Sequence, residues 1–242
     1  MSDALRPVVV VPTYNEAHNV APLLRAIHET VPGLDVLVVD DNSPDGTGAI
    51  VDGLADACPA IHVLHRPAKA GIGVAYRAGF AWAISHGFNC VVQMDADFSH
   101  DPAALPALLA GIGEAEVVIG SRYVAGGSIP DWPSGRRALS AFGNRYAAAM
   151  LRLTVSDATA GLRAYRTEAL TRVDFPSVRA DGYGFQIEMT YRAANCGARI
   201  VEVPITFTDR TRDRSKMTVG IIVEALWLVT FWGIRDRFRR SG

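Results

Sequence analysis

The amino-acid sequence predicts an α/β fold, a mostly parallel sheet flanked by helices, and three observations carry that prediction. Apolar, largely β-branched runs begin at Pro7, Asp35, Ile61, Val91 and Val117, with helical stretches between them. The runs are near-continuous rather than alternating, which marks strands covered on both faces. Several stop abruptly at carboxylates or turn residues. Strand and helix alternating at this spacing imply parallel strands joined by right-handed crossovers.

Each element can be justified in order. Pro7–Val11 stops at Pro12, and PTYNE follows, with Asn15 placed to cap a helix that buries Val20, Leu23, Leu24 and Ile27 and ends near Pro32 and Gly33. Asp35–Val39 is the second strand; it ends in Asp40 and Asp41, and NSPDGT is turn chemistry before another helix. Ile61–Leu64 is the third strand, and Ala75–Ile84 a helix after the loop KAGIG. Val91 opens the fourth strand and Val117–Ile119 the fifth, which runs into GSRY. Val124–Pro133, rich in Gly, Pro and polar residues, reads as a mobile loop over a site. Arg136–Leu153 is helical, DATAGLRAYR extended, Tyr183–Ala194 helical, and Arg199–Phe207 a last strand interrupted by Pro204.

Composition narrows the function classes. A chain of 242 residues with 49% hydrophobic and 20% charged residues can bury one large core. The formal net charge of -1 argues against a general nucleic-acid binder, although Arg210–Lys216 and Arg235–Arg240 are local basic clusters. Cys58, Cys90 and Cys196 are widely spaced and form no CxxC pair, as expected of reduced thiols in a cytosolic setting. The N-terminus has no signal-peptide pattern. The six histidines show no metal-ligand spacing. Neither GxGxxG nor GxxxxGK[ST] is present, so a dinucleotide fingerprint and a P-loop are both excluded.

The chemistry concentrates at VVQMDADFSHDP, Val91–Pro102. Here a buried strand delivers Asp95 and Asp97 to a sheet edge, where ligands of open α/β sheets bind. Magnesium and similar hard cations favour one or two carboxylates together with substrate phosphates. Two readings stay open from this pair alone: a site for a diphosphate and its metal, or an acidic turn capping the next helix. The tail leaves a second choice. Thr218–Ile234 is apolar almost all round but is interrupted by Glu224, which argues against a membrane span. With Trp227 and Trp232 and flanking arginines it reads as a helix lying in a membrane interface; the alternative is a helix packed on its own domain or in a dimer.

Several motifs agree in order: VVPTYNE at 10–16, VVDDNSPDGT at 38–47, DADFSHDP at 95–102, GSRY at 120–123, DATAGLRAYR at 157–166 and YGFQIEM at 183–189. In them the chain resembles the inverting glycosyltransferase family 2, specifically the dolichol (polyprenol) phosphate mannose synthases. The resemblance implies a GT-A-type, Rossmann-like catalytic domain over 1–209, followed at 210–242 by a basic acceptor loop and an interfacial helix. It implies that Pro12, Tyr14, Glu16, Val39 and Asp41 surround a guanine nucleotide. It also implies that Asp95, Ala96 and Asp97 hold Mg2+ or Mn2+ and the diphosphate. Ser99 stands where some members carry a glutamine metal ligand. Arg122 and Arg136 match two family arginines, which with Arg210 and Lys216 are expected to act in catalysis by neutralising the donor and acceptor phosphates. Phe207, Arg210, Ser215 and Lys216 match F-x-x-R-x-x-G-x-S-K, with Asp213 in place of the glycine. That basic stretch is either a solvated face or, between a strand end and an apolar helix, a phosphate clamp.

The resemblance therefore implies GDP-mannose as donor, a polyprenyl or dolichyl phosphate as acceptor, and the cytoplasmic side of a membrane as the place of work. The protein is expected there peripherally or monotopically, with room for a separate transmembrane anchoring subunit. An alternative within the family is a polyprenyl-phosphate glucosyl- or aminosugar transferase.

Overall fold

The computed structural model describes residues 4–209 and 219–240. Seven strands form one sheet: β1 (Pro7–Thr13), β2 (Asp35–Asp40), β3 (Ile61–His65), β4 (Cys90–Gln93), β5 (Val117–Ser121), β6 (Arg163–Arg166) and β7 (Ile200–Pro204). Their order is β3-β2-β1-β4-β6-β5-β7, and every pairing is parallel except the two made by β6. Among the described residues eight α-helices cover the sheet: α1 (Val20–Thr30), α2 (Thr47–Ala57), α3 (Ile72–Ser85), α4 (Leu105–Gly111), α5 (Ser134–Leu151), α6 (Thr167–Val173), α7 (Gly182–Asn195) and α8 (Val219–Arg240).

The strands read as unbroken apolar runs because both faces are buried. Val8, Val10, Leu37 and Val39 belong to one core with residues of α3, α5, α7 and α8, while Val9, Val11, Val36 and Val38 belong to the other with α1 and α4. Strand alternation divides the two sets cleanly. The order in which strands are added reverses between the parallel neighbours β1 and β4, so a crevice opens outside their carboxyl ends. The PTYNE, DDNSPDG and DAD motifs all sit there.

Some expectations need correcting. Asn15 does not cap α1; it sits at φ 62° just after β1, and the helix begins only at Val20, with the Asn19 and Val20 amides donating to the Glu16 carbonyl. The stretch Val124–Pro133, expected as a mobile cover, is fastened to the chain after β7. Ser128 bridges to Thr206, its amide donates to the Ile205 carbonyl, and Ile129 and Trp132 are buried. Apolar side chains inside a Gly- and Pro-rich segment outweighed its loop composition. The three cysteines are free, and burial pushes the Cys90 thiol up to about 12.

The tail helix packs as a clamp. Val229 and Trp232 of α8 are buried; Trp232 stacks on Tyr191 of α7, and Thr230 bonds the Tyr146 hydroxyl of α5 at 2.7 Å. Its other face shows Trp227, Phe231, Ile234 and Phe238, all exposed and spaced by four, three and four residues, a single helical stripe. Among the described residues no helix is long and apolar enough to cross a membrane. Trp232 is thus a packing residue rather than the second interfacial tryptophan expected.

Candidate active site

The crevice is lined by the segments that leave β1, β2 and β4. Each carries one non-glycine residue in the left-handed region: Asn15 (φ 62°), Asn42 (φ 56°) and Phe98 (φ 58°). Such conformations are costly for side-chain-bearing residues and persist where surrounding contacts over-determine them, which happens most at ligand sites. Here the contacts are visible. The Asn15 amide donates to Ser43 Oγ, the Ala17 amide to Asp45 Oδ2 and the Glu16 amide to Thr47 Oγ1, so the loops after β1 and β2 are stitched together. Asp40 anchors the stitch by accepting from Thr13 Oγ1 at 3.0 Å and from the Ser43 amide and hydroxyl.

Of the expected nucleotide residues, Pro12, Tyr14, Glu16 and Asp41 follow or end these strands. Lys69 Nζ lies 4.0 Å above the Tyr14 ring centroid. Glu16 accepts from Asn19 Nδ2 at 2.7 Å. Asp41 is buried and paired to Arg66 at 2.6 Å; burial raises its pKa, against the opposing pull of the Arg66 charge. Val39 is buried with its side chain toward Gly79 in the core.

The DAD segment follows β4. The Tyr76 hydroxyl, on α3, donates to Asp95 Oδ1 at 2.7 Å. Burial first, and then the Asp95 carboxylate, raises that phenol well above its ordinary value, so it stays a donor. Asp97 is buried and accepts from the Ser99 amide at 3.0 Å; Ala96 and Ser99 are buried beside it. Space is kept open by Gly161, where an added Cβ would stand 3.2 Å from Asp95 Oδ2 and 2.9 Å from His100 Cε1. Two carboxylates with oxygen-only chemistry and a cleared approach fit a hard divalent cation completed by substrate phosphates. No group of three or more His, Cys, Asp or Glu that could hold a metal occurs among the described residues.

Arg122 stands across the crevice, almost fully buried. Its Nε and Nη2 make a fork to Asp157 at 2.7 Å each, and Nη2 also reaches Thr159 Oγ1 at 2.8 Å. Burial opposes ionisation of both partners, but the mutual attraction wins: Asp157 is lowered and Arg122 raised. Arg136 lies 4.0 Å over the Trp132 ring and pairs with Asp209 at 2.7 Å. Trp132 packs edge-on to Phe207, and Phe207 edge-on to His100, so an aromatic file joins the DAD segment to both arginines. Burial lowers the His100 pKa and keeps it neutral. The expected Arg210 and Lys216, with Asp213 and Ser215, lie outside the described residues.

Beside Trp132 and Thr159 an apolar groove of about 120 Å³ runs between α5, α7 and α8, walled by Leu139, Phe142, Tyr146, Tyr183 and Leu226. Leu139 and Phe142 reach the surface at this groove, which Ala225, Leu226 and Val229 of α8 also line. Sequence reasoning did not single out Tyr76, Asp157 or Gly161 as site residues. Tyr76 lay unremarked in the helix after KAGIG, whereas Asp157 and Gly161 stood in the DATAG motif with no sign of what they would touch.

A model of glycosyl transferase family 2 matches residues 8–173. The chain is 48% identical over 234 residues to an undecaprenyl-phosphate mannosyltransferase of Micrococcus luteus, covering 97% of this chain and 96% of that protein. It is 48% identical over 238 residues to a polyprenol monophosphomannose synthase of Mycolicibacterium smegmatis, covering 98% and 90%. Among solved structures it is similar to glucosyl-3-phosphoglycerate synthase from Mycobacterium tuberculosis in complex with Mn2+, UDP and glucosyl-3-phosphoglycerate. That likeness has a TM-score of 0.68 at 21% identity over 95% of this chain and 80% of that one. A mannosyltransferase from Pyrobaculum calidifontis in complex with GDP-Man and Mn2+ follows the same fold, with a TM-score of 0.61 at 21% identity over 88% and 59%.

Proposed function

The chain belongs to glycosyl transferase family 2, and on that premise we propose that it transfers mannose from GDP-mannose to a polyprenyl phosphate, inverting the anomeric carbon. The observation that carries this reading is the juxtaposition of the Asp95–Asp97 pair with an apolar groove that opens beside Trp132 and Thr159. An anionic diphosphate and an isoprenoid chain call for these two chemistries side by side.

Pro12, Tyr14, Glu16, Val39 and Asp41 form the guanine side, and Asp95, Ala96 and Asp97 the diphosphate side, with Ser99 as a further ligand candidate. A bound Mg2+ or Mn2+ would neutralise charge on the departing diphosphate. Tyr76 fixes the Asp95 rotamer by its hydrogen bond. The acceptor phosphate is anionic at neutral pH and attacks C1 without a strong general base. Protein work is therefore electrostatic: Arg136, Arg210 and Lys216 attract the phosphates, while the Arg122–Asp157 fork holds the far wall in place. The product is a polyprenyl β-D-mannosyl phosphate.

A lipid acceptor also requires the site to meet a membrane. The α8 stripe with Leu139 and Phe142 supplies apolar contact, and arginines 235, 237, 239 and 240 supply charge for anionic headgroups, roughly 1 kcal/mol each near the surface. In this reading residues 1–209 carry donor chemistry, and 210–242 bring acceptor and membrane to it on the cytoplasmic face, where a separate transmembrane subunit can add firmer anchoring.

The test is release of GDP from GDP-mannose, with and without metal, in the presence of a short polyprenyl phosphate. Metal-dependent release that requires the acceptor is expected. Turnover with UDP-glucose and none with GDP-mannose would overturn the donor assignment.

A further inference from the structure

Resting on the guanine-side reading of Asp41, the structure points to a residue that controls which base is accepted. Arg66 follows β3 directly, and its Nη1 reaches Asp41 Oδ1 at 2.6 Å in a pair whose side chains are only 12% and 6% exposed. The Arg66 amide donates to the Asp40 carbonyl, Asn42 Nδ2 donates to the Pro67 carbonyl, and the Ala70 amide is a further partner of the Asp41 carboxylate. Beyond it, Asp181, at the N-cap of α7, accepts from the Gly73 amide at 2.7 Å and secures the start of α3. The segment from Arg66 to Gly71 is thus a strap across the ends of β2 and β3, wrapped around one carboxylate, with Lys69 lying on Tyr14.

The chemistry of the bases gives that carboxylate a use. Guanine presents two donors on one edge, N1–H and the N2 amino group, and a carboxylate is acceptor-only with about four lone-pair positions, so it can serve both and still keep Arg66 and Ala70. Hypoxanthine offers N1–H alone. Uracil offers a single N–H between two carbonyl oxygens, which an anion repels. Discrimination then depends on Asp41 being charged and fixed in direction, and both are imposed from outside the residue. Burial favours the neutral carboxyl; Arg66 opposes burial and locks the rotamer.

We propose that Arg66 is a positioning residue for donor-base selection, holding Asp41 as an oriented carboxylate that reads the guanine edge. It does not itself touch the base. Its loss is expected to weaken binding in proportion to the number of base N–H groups that Asp41 serves.

The experiment is calorimetric binding of GDP, IDP and UDP, each with Mn2+, to the full chain and to Arg66→Met, Arg66→Lys and Asp41→Asn. The wild type is expected to favour GDP over IDP by about tenfold, the worth of one hydrogen bond to a charged acceptor. Arg66→Met should narrow that ratio to about twofold while leaving UDP affinity little changed. Arg66→Lys, which keeps the charge, should retain most of the preference. A uniform loss for all three nucleotides in Arg66→Met, with the GDP to IDP ratio intact, overturns the proposal and makes Arg66 a structural strap only. If Arg66→Met fails to fold, the uncharged Arg66→Gln decides by the same ratio: weaker binding of all three nucleotides without any change in preference again overturns it. Failure of the underlying reading looks different, since the wild type itself would then show no preference for GDP. If the wild type discriminates, Asp41→Asn does not and Arg66→Met still does, the inference about Arg66 fails while the guanine reading stands.

Discussion

Asp157 accepts from the Arg122 amide, Nε and Nη2 and from Thr159, while its own amide and that of Ser156 are held by Glu202. Removing the carboxylate leaves a buried guanidinium unpaired, so Asp157→Ala should cost about 3–5 kcal/mol in urea unfolding. The pH dependence has a definite sign. Because the folded pKa lies below the unfolded value of roughly 3.9, the stabilisation is full above that value and drains away as pH falls through the folded pKa. The stability gap between wild type and variant should therefore close in acid; a gap independent of pH down to the lowest folded condition would refute the assignment. At Asp97 the expectation is catalytic instead: Asp97→Asn should abolish turnover with little change in melting temperature, and near-normal activity with metal chelated would discard the site. The aspartates of DAD were legible because charge interrupts an apolar run. The fork to Arg122 was not, because Asp157 lies 35 positions away and meets it only through the sheet order. Arg163 shows the same limit. It is fully buried in β6, and its guanidinium is satisfied by the carbonyls of Ala158, Ala160 and Gln186 and by Thr190, a setting no charge in a sequence announces.

At the scale of elements, α8 packs one face on its own domain and leaves an apolar stripe exposed, so packing is visible and the proposed membrane contact falls to the other face. A helix apolar on nearly all sides has no legible phase, so Trp227 and Trp232 looked alike; packing separates them, with Trp227 63% exposed and Trp232 8%. The two faces should be separable by substitution. Trp227→Ser with Phe231→Ser should reduce sedimentation with anionic vesicles several-fold and leave the thermal midpoint nearly unchanged. Trp232→Ala should do the reverse, costing about 3–5 kcal/mol in stability. Equal vesicle binding by the wild type and the doubly substituted chain would remove the stripe from the membrane. Gly233 gives an independent check on the packed face, since a Cβ there would come within 2.8 Å of the Met150 carbonyl oxygen on α5. Gly233→Val should pry the two helices apart, with a penalty of about 1–3 kcal/mol or more. Truncating α8 altogether mixes the two roles, because the buried contacts leave with the exposed ones.

At the scale of the molecule, alternating strands and helices revealed the parallel part of the sheet and the crevice at its carboxyl edge. The insertion of antiparallel β6 between β4 and β5 was not legible, because four residues of extended chain look the same in either direction. That insertion has a consequence for the order of assembly. By Gln93 the chain already holds β3, β2, β1 and β4 as contiguous neighbours, whereas β5 pairs only with β6 and β7, which both come later. Domains form from the N-terminus during synthesis, and non-local pairings come slowly. Amides of β1 and β2 should accordingly gain protection from hydrogen exchange before those of β5 in pulse-labelled refolding; simultaneous protection would show a single cooperative step. A nascent chain therefore presents the ends of β1, β2 and β4, with Asp95 and Asp97, well before Gly161 and Arg122 have a far wall to build; if those ends hold the donor as proposed, a sugar met at that stage would find a berth but no reaction chamber.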